Sequence, residues 1–545
     1  MLSAGMGSLA ILGTSNPARS ETPAPELVPT FECIGITWSP AAAKSKNSVA
    51  VHYREVGHKT WRRALDLWLD NRNAEYRGSI VGLKPGTRYR IRLTQANTGT
   101  RVKTSVTTWT ETRDWPIGEV IKLPARSTTR LFIQEGGTPD AYKLYEPAGD
   151  SAEIDVQLRT NASVAIAAPY VIVRGLTLKG GVNAGVIIGS GAHDVVVEGC
   201  EISEFGVENE LGWTTGNPAG VLVPTKQSGV TRLVIQANDI HDPNGDTNAW
   251  TESRPDVSSS ATGFHPTGAN GIFLTETKGN NVIRHNHIHS SENHYFNDGI
   301  GGSKNDSKKG APGRDSDIYG NRVSECWDDG IEAEGGGRNV RIWGNLLNNV
   351  MVGIGHRQNR VGPSYVFRNV IRTSQFDPNS PRDEDRRGQF FKAGTRFNTR
   401  CYIFHNTIFQ EFIGNQEPDG SSWGIRGGAK NLVSRNNIFH IAMVNQNAYS
   451  IRNAAANCDF DYDLFNGAIV ASGSQEANGI LGTPTYRKSN GPDEYFLTGS
   501  SLGVNAGQVI PNFNDGFSGS APDIGAFERG QKPPIYGIRK ILISG

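Results

Sequence analysis

Apolar and polar residues alternate over short stretches along most of the chain, a pattern that predicts strands. Between residues 25 and 112 the segments ITWSP, VAVHYREVG and KTSVTTWT follow this period of two, with turns between them. The stretch YRGSIVGLKPGTRYRIRLTQANTG continues the alternation through a Pro-Gly turn. The first part of the chain is therefore predicted to be a small domain of short strands.

A different repeat begins near residue 113, where an asparagine follows each apolar strand. It has the form x-Asn-x-(Ile/Val/Leu), as in IRHNHI, IYGNRV and IFHNTI. Its asparagines are Asn238, Asn286, Asn321, Asn345, Asn369, Asn406 and Asn436. Cys200, in VVVEGCEI, occupies the same place in an earlier repeat. The smallest spacing is 24 residues and others are longer, which predicts one coil per repeat with loops of variable length.

These spacings favour a solenoid. One coil cannot bury its own apolar residues, whereas stacked coils share a continuous core. The spacings leave no room for a crossover helix in every repeat. An asparagine at a turn tolerates left-handed geometry, and its amide can donate and accept along the stack. We therefore predict an all-β fold with a right-handed parallel β-helix over residues 113–470.

Two segments resemble known domain signatures. GLKPGTRYRIRL resembles the E–F corner of fibronectin type III domains, in which a tyrosine hydroxyl binds back to the backbone; here that residue would be Tyr89, with Trp38 as the core aromatic. The resemblance implies a fibronectin type III-like β-sandwich over residues 25–112, a spacer or binding module without chemistry. EYFLTGSSLGVNAG…APDIGAFERG resembles the C-terminal signature of bacterial β-helix proteins, which implies that residues 471–545 form a cap on the last coil.

The first residues indicate export. MLSAGMGSLAILGTSNPARS contains a short apolar run that ends in small residues, like the core and cleavage end of a signal peptide, although the basic start is missing. We interpret residues 1–24 as a leader-like segment and expect a secreted or periplasmic protein; a disordered tail is the alternative. No later segment of the sequence approaches the ~20 apolar residues that span a bilayer.

Composition excludes several classes of function. The net charge is +1, so the overall charge provides no strong attraction to nucleic acid or to a membrane surface. The five cysteines show no Cys-x-x-Cys spacing, which argues against a structural zinc site, and their odd number argues against a complete disulfide framework. We expect most of them to be buried thiols. The 65 glycines fit a β-protein rich in turns.

A second motif precedes the asparagine turns and predicts a sheet that carries chemistry. The segments NGIFLT, DGIGGS, DGIEAE, VGIGHR, QFFKAG and WGIRGG align on the central residues Ile272, Ile300, Ile331, Ile354, Phe391 and Ile425. Side chains alternate across a strand, so the residue after each central one faces outward. The outward residues are Phe273, Gly301, Glu332, Gly355, Lys392 and Arg426. Coils ~4.8 Å apart would line these residues up along a groove.

Carboxylates concentrate at two neighbouring coils of this sheet. FNDGIGG contains Asn297 and Asp298, and WDDGIEAEGG contains Asp328, Asp329, Glu332 and Glu334. Carboxylates this close repel unless they are protonated, paired with cations or bound to metal. Oxygen ligands without histidine or thiolate suit Ca²⁺ better than zinc.

This order of residues resembles the site of the calcium-dependent pectate lyases of the β-helix type, with an aspartate, then D-D-G-x-acid one coil later, then a downstream lysine. The Glu-x-Glu pair is similar to the calcium ligands of β-helix alginate and chondroitin lyases. The resemblance implies a lyase acting on an acidic polysaccharide, in which Lys392 is the base and Arg426 stabilises charge. It assigns Ca²⁺ to Asp298, Asp328, Asp329 and Glu332, with Glu334 as a further possible ligand.

The remaining site residues follow from the same interpretation. Arg357 is a further catalytic candidate, and Asn297, Glu334 and the loop residue Trp213 are candidates for binding substrate. A base must be neutral, so we expect Arg357 or Arg426 to lower the pKa of Lys392. The chain departs from the family pattern because the acid after the D-D pair is Glu and the lysine lies two strands beyond it. We expect a monomer.

Two other functions fit the sequence. Paired carboxylates on adjacent coils could act as the acid and base of a glycoside hydrolase, and the order Asn297-Asp298, Asp328-Asp329, His356, Lys392 resembles β-helix polygalacturonases, although His356 falls out of register. A non-catalytic carbohydrate-binding or adhesin β-helix would share the same coils. In that case the aspartates before glycine would cap turns, and Lys392 would form an ordinary ion pair with Glu332.

Three further features leave alternatives open. In HNHIHSSENH, alternation sends His285, His287 and His289 to one face, so a metal site and an ordinary surface both fit. Trp213 and Trp250 could stack on sugar rings or pack their loops onto the helix. The charged run PRDEDRRG, residues 381–388, is a solvated loop that could also rim the groove.

Overall fold

The computed structural model describes most of the chain. The described residues are 23–40, 48–96, 98–250, 252–256, 265–373, 389–393, 399–410, 425–426, 430–441, 447–450, 457–470, 475–488 and 495–539. Nearly all of the leader-like segment and the charged run 381–388 lie outside them. Within these ranges the chain is almost entirely β, with one short 3₁₀ helix at Thr112–Asp114. No helix in the described part is long and apolar enough to cross a membrane.

The first domain is an antiparallel β-sandwich. Its strands are β1 (Glu26–Pro29), β2 (Ile34–Trp38), β3 (Val49–Glu55), β4 (Arg62–Asp70), β5 (Glu75–Ile80), β6 (Arg88–Gln95) and β7 (Arg101–Thr107). They are ordered β1-β2-β5-β4-β3-β6-β7. The long strand β4 pairs with β3 through its first half and with β5 through its end, so the ribbon folds into two layers.

The corner predicted from the fibronectin type III resemblance is present. The backbone N–H of Lys84 donates to Oη of Tyr89 at 3.0 Å. Tyr89 and Trp38 are both buried in the sandwich core. A buried tyrosine keeps its hydroxyl bonded because an unpaired polar group in the core is costly, and here that bond closes the turn between β5 and β6.

The rest of the chain coils into three parallel sheets, which confirms the predicted parallel β-helix. We call them the groove sheet, the side sheet and the back sheet. The groove sheet contains β10 (Leu131–Ile133), β13 (Ala162–Ile166), β16 (Ala184–Ile188), β19 (Ala219–Val223), β22 (Asn270–Leu274), β25 (Ile300–Gly301), the second halves of β27 (Arg322–Glu332) and β29 (Leu346–His356), β32 (Gln389–Ala393) and β35 (Ile425–Arg426). The long strands β27 and β29 bend from the side sheet into the groove sheet.

The other two sheets complete each coil. The side sheet contains β9 (Arg126–Ser127), β12 (Glu153–Asp155), β15 (Thr177–Lys179), β18 (Glu201–Ile202), β21 (Asp239–His241), β24 (His287–His289), the first halves of β27 and β29, β31 (Val370–Thr373), β34 (Thr407–Gln410), β37 (Ile438–Ile441), β40 (Leu464–Phe465) and β42 (Ile480–Leu481). The back sheet contains β8 (Ile117–Leu123), β11 (Tyr142–Pro147), β14 (Val171–Arg174), β17 (His193–Glu198), β20 (Thr231–Gln236), β23 (Val282–Arg284), β26 (Asp317–Tyr319), β28 (Val340–Trp343), β30 (Ser364–Phe367), β33 (Cys401–Phe404), β36 (Leu432–Arg435) and β39 (Asp459–Asp461). A separate parallel pair is formed by β38 (Asn447–Ser450) and β41 (Ala468–Val470).

The predicted register of the groove sheet is confirmed at every step. The backbone partners run in one column through Ile272, Ile300, Ile331, Ile354, Phe391 and Ile425. The first five of these side chains lie in the main apolar core of the solenoid. The residue after each of them therefore faces away from the core.

Asparagines form a buried ladder along the turn between the back and side sheets. At each step a side-chain carbonyl accepts from the backbone N–H and the amide of the asparagine one coil earlier. Cys200 begins the ladder, as predicted, by donating its backbone N–H to Asn238. Asp463 ends it by accepting both bonds from Asn437.

Two details of the predicted ladder are wrong. The last asparagine of the ladder is Asn437 and not Asn436, because Phe439, two residues after Asn437, is the inward residue of that coil. The left-handed conformation belongs to the residue before each ladder position, as at His285, Asn436 and Tyr462. The asparagine therefore contributes its side-chain amide and carbonyl to the ladder, while the preceding residue adopts the left-handed conformation of the turn.

All five cysteines lie in the described residues as thiols. Cys33, Cys200, Cys326 and Cys401 are buried and Cys458 is half-buried. The expectation of buried thiols is confirmed for four of the five. They pack as small apolar side chains.

The sandwich packs on the back sheet. Phe31 lies 3.7 Å from the guanidinium of Arg284 and shares a buried cluster with Tyr319. Nearby, Arg77 donates to the carbonyl of Val361 at 2.8 Å, so the sandwich holds the loop that follows β29.

The C-terminal segment lies along the outside of the last coils. Ile524 packs with Ile438 and Leu464 of the side sheet. The segment then runs back along the stack, where the N–H of Gly537 donates to the carbonyl of Gly320 at 2.8 Å. It covers the corner that carries the asparagine ladder.

Candidate functional site

The candidate site lies where three coils of the groove sheet meet. Glu332, Gly355 and Lys392 follow one another in register on β27, β29 and β32. A Cβ atom at position 355 would lie 2.2 Å from Oδ2 of Asp329. The glycine therefore leaves the space through which the lysine reaches the carboxylates two coils away.

Lys392 is held by two buried carboxylates. Its Nζ lies 2.6 Å from Oδ2 of Asp329 and 3.3 Å from Oε1 of Glu334. The acids are 0% and 4% exposed and the lysine side chain is 25% exposed, so the lysine is the member of this ion-pair group that solvent reaches most. This pairing differs from the ordinary ion pair with Glu332 that the sequence left open.

Asp298 is fixed across two coils. Its Oδ1 accepts the backbone N–H of Asp329 at 3.0 Å, and its Oδ2 accepts the amide of Asn297 at 3.1 Å. The backbone contact of Asp298 thus joins two coils, and differs from the local turn cap that the sequence left open for an aspartate before glycine. Oδ1 of Asp329 and Oδ1 of Asn297 are buried without a hydrogen-bond partner among the described residues.

Burial governs the protonation of the acids. Burial and the neighbouring charge of Asp328 raise the pKa of Asp298 to about 8. The pKa values of Asp329 and Glu332 are raised well above the ordinary carboxyl value, again mainly by burial. At neutral pH the metal-free cluster therefore keeps part of its carboxyl groups protonated.

The expected lowering of the pKa of Lys392 is wrong for the metal-free site. Burial alone would lower this pKa, but the charges of Asp329 and Glu334 outweigh it and hold the pKa well above its usual value. Among the described side chains, the charged groups that contact the lysine are acidic. Arg426, one of the two arginines predicted to flank it, is its register partner, but the side chain of Arg426 lies outside the described residues. The lysine can lose its proton only when the acidic charge is neutralised.

Three of these carboxylates could hold a cation. Asp329, Glu332 and Glu334 each offer one oxygen, and these oxygens lie within 4.8 Å of one another. Glu332 is positioned by the amide of Asn305, which donates to its Oε1 at 2.6 Å. The donors are all carboxylate oxygens, and Oδ1 of Asp329 still has acceptor capacity, so this set fits Ca²⁺.

The cluster forms the floor of a pocket of about 860 Å³. Its lining includes the predicted residues Asn297, Asp298, Asp328, Glu332, Glu334, Arg357 and Lys392. The backbone N–H of Arg357 donates to Glu334 at 3.2 Å. This contact places Arg357, whose side chain is exposed, next to the acids at the end of β29. The volume lies within the usual range for sites that bind small molecules, roughly 300–1,000 Å³.

Among the described side chains, three predicted site residues do not line this pocket: His356, Trp213 and Asp329, which is fully buried but contacts the lining residue Lys392. His356 is buried outside it, where its ring stacks on Phe391 and its Nε2 accepts from Asn359 at 2.9 Å. Trp213 is half-buried, with the guanidinium of Arg254 5.3 Å from its ring. Arg426 occupies the register position after Lys392, but its side chain lies outside the described residues. Alternation explains His356, because two residues after an inward isoleucine the chain faces inward again.

Sequence reasoning missed the loops that form the far wall. His265 lies with its Nε2 3.5 Å from Oδ2 of Asp328 and is packed on Trp250. Arg254, Lys304 and Asn305 line the same side. These residues come from the segments that lengthen the asparagine spacing to 48 and 35 residues. The spacing in excess of one coil could have indicated these loops, because residues beyond those that form a coil must lie on the surface of the stack.

The comparisons with known proteins return no match to a family model and no match among curated proteins. Among solved structures the chain is similar to the pectate lyase Pel9A, with 15% identity, 76% of this chain and 87% of that chain covered, and a TM-score of 0.39. An alginate lyase from Paenibacillus sp. str. FPU-7 has 13% identity, coverage of 66% and 94%, and a TM-score of 0.35. The cedar pollen allergen jun a 1 has 11% identity, coverage of 70% and 84%, and a TM-score of 0.23. Similarity at this level does not assign a function to this chain.

The buried acids predict an unusual dependence of stability on pH. Because the folded pKa of Asp298, about 8, lies above its unfolded value, its contribution is complete at low pH and is lost as the pH rises through 8. With a chelator present, we expect the free energy of unfolding in urea to fall between pH 5 and pH 9, by at most about 1.4 kcal/mol per pH unit for this group. The Asp298→Asn variant should show a shallower fall, and an unchanged slope would contradict the assignment.

Proposed function

We propose that this protein is a secreted polysaccharide lyase that cleaves a polymer containing uronic acid by β-elimination in the groove-sheet pocket. The observation that carries the proposal is the contact of Lys392 with Asp329 and Glu334 on the floor of an open pocket. An ion pair that served stability alone would gain little from such a position, since buried ion pairs are often no better than apolar packing.

The reaction that fits these residues begins with removal of the proton on C5 of a uronate, next to its carboxylate. The electron pair left on C5 forms the C4–C5 double bond as the glycosidic C4–O bond breaks, and the departing oxygen takes a proton from solvent. In this proposal Lys392 accepts the C5 proton at Nζ once the charge of Asp329 and Glu334 is neutralised. Arg357, an exposed residue of the pocket lining, binds the substrate carboxylate and stabilises the charge that develops on it. The backbone position of Arg426 makes it a second candidate for this role.

Calcium is the cofactor that this proposal includes. Asp329, Glu332 and Glu334 would hold the ion, with Asp298 and Asp328 beside them, and a bound Ca²⁺ would supply positive charge that neutralises acidic groups. The same carboxylates now bind the ammonium of Lys392. A bound cation and the ammonium of Lys392 would therefore compete for the same carboxylate oxygens. Binding of the cation would weaken the hold of these acids on the lysine proton.

Calcium removal gives the direct test. We expect ultraviolet absorbance of an unsaturated product when the protein is incubated with a panel of uronic polymers in Ca²⁺, and at least about a hundredfold slower reaction after chelation. Restoration by Ca²⁺ completes the test. Neutral polysaccharides serve as the control substrates. Full activity in the chelator would remove calcium from the proposal, and no product from any polymer would reject the lyase.

A glycoside hydrolase is the second candidate, and one observation favours it. Asp298, with a pKa raised to about 8, carries a proton at neutral pH and could act as a general acid. The burial of His356 outside the pocket counts against the polygalacturonase-like arrangement. New reducing ends without ultraviolet absorbance would identify hydrolysis, and retained polymer binding without either product would identify a carbohydrate-binding protein.

A further inference from the structure

A second cluster of metal-binding side chains lies on the side sheet. Asp239 on β21 and His287 on β24 are partners in register, and His289 follows two residues later on the same strand. All three side chains face outward and are about one-third exposed. None of them contributes to the groove-sheet pocket.

The three ligand atoms lie within 4.8 Å of one another, close enough for one metal ion to contact all three. Oδ1 of Asp239 lies 3.3 Å from Nδ1 of His287 and 3.0 Å from Nε2 of His289. Atoms bound tetrahedrally to zinc at 2.0–2.1 Å are separated by about 3.3 Å. The imidazole rings of His287 and His289 stack with their centroids 4.0 Å apart, which holds both rings beside the carboxylate.

The surroundings favour a cation. His241 stacks on His289 from the preceding coil with ring centroids 5.2 Å apart, and Glu201 and Asp242 approach His241 at 3.6 and 3.0 Å. The exposed Arg322 follows His287 in register on the next coil and opposes part of this negative charge. Lys179 also interacts with Glu201 but is itself paired with Glu204 at 2.7 Å. These four carboxylates outnumber the arginine and the lysine, so the patch is acidic overall.

We propose that Asp239, His287 and His289 form a site for Zn²⁺ or a similar transition-metal ion that links two successive coils, with a fourth position open to water. Two imidazole nitrogens and one carboxylate oxygen are ligands that zinc accepts readily, whereas Ca²⁺ prefers oxygen alone. The bound ion joins β21 to β24 and stabilises the stack at the coil before the acidic cluster. This site is independent of the proposed lyase activity.

The test is titration of the full chain with ZnCl₂ in excess Ca²⁺, so that the acidic pocket does not contribute. We expect one equivalent of Zn²⁺ to bind by calorimetry and the melting temperature to rise. His287→Ala and His289→Ala should each lower the affinity for Zn²⁺ by about tenfold to a hundredfold or more. His58→Ala, which removes an exposed histidine of the sandwich, is the matched control and should bind as the unaltered chain does.

Substitution of Co²⁺ gives a second readout that does not depend on stability. A tetrahedral site should produce visible absorption bands that disappear in the His287→Ala variant. Circular dichroism of the metal-free variants checks that the coils still fold. Equal Zn²⁺ affinity in a variant that carries both His287→Ala and His289→Ala, or no binding by the unaltered chain, would overturn the proposal.

Discussion

Replacement of Lys392 by alanine is expected to lower kcat/KM on the uronic polymer by about 10²–10⁴-fold, the contribution of a positioned acid or base. Nζ of this lysine is the basic atom that contacts the buried acids on the pocket floor. The loss should appear in kcat, because the lysine acts on the reacting proton. Steady-state kinetics at several pH values measure it.

The same substitution also removes a charge partner, so its effect on stability must be separated. Asp329 and Glu334 would lose their ammonium, and breaking a buried pair costs about 3–5 kcal/mol when the remaining charge is uncompensated. Protonation or Ca²⁺ would reduce this cost. Lys392→Arg keeps the positive charge but cannot accept a proton at neutral pH, so it should remain folded and inactive. Activity in both variants would reject Lys392 as the base.

Replacement of Asn345 by alanine is expected to destabilise the solenoid by about 2–6 kcal/mol, because two buried donors lose their partner at about 1–3 kcal/mol each. Oδ1 of Asn345 accepts the backbone N–H and the amide of Asn321, both at 3.0 Å. Its own amide donates to the carbonyl of Ile318 at 3.0 Å and to Asn369 at 2.9 Å. Urea unfolding and calorimetry measure the loss.

Two variants define what this position requires. Asn345→Asp keeps an accepting oxygen but turns a second oxygen toward two acceptors, so it should be destabilised as well. A carboxylate is tolerated at position 463 because this position ends the ladder. There Ser434 donates to the second oxygen of Asp463 at 2.5 Å. Asn71→Ala, at an exposed turn of the sandwich, is the control and should change stability by less than about 0.5 kcal/mol. Wild-type stability in Asn345→Ala would show that the ladder contributes little.

The repeat was predictable because each coil makes the same local contacts. Inward residues such as Ile331 and Ile354 must be apolar, and their outward neighbours are then fixed by alternation. The placement of Glu332 and Lys392 on one face followed directly. The prediction named Asn436 in place of Asn437 because the two asparagines are adjacent in the sequence. Only the packing of Phe439 in the core identifies Asn437 as the ladder residue.

The charge state of the site was not predictable in the same way. The sequence suggested that an arginine sets the charge around Lys392. Arg426 is its register partner, but the described contacts of the lysine side chain are with Asp329 and Glu334, across Gly355. Its pKa is consequently raised where a lowered value was expected. The far wall, with His265 and Arg254, was also missed, because loops follow no repeat.

The sequence by itself determined the stacked coils, their register and the face that carries the acids, because periodicity depends on interactions between neighbouring residues and equivalent positions. The tertiary structure decided which acids contact Lys392, where the sandwich packs and which loops enclose the pocket. Those features depend on side-chain reach and on surfaces far apart in the chain, which no periodic pattern encodes.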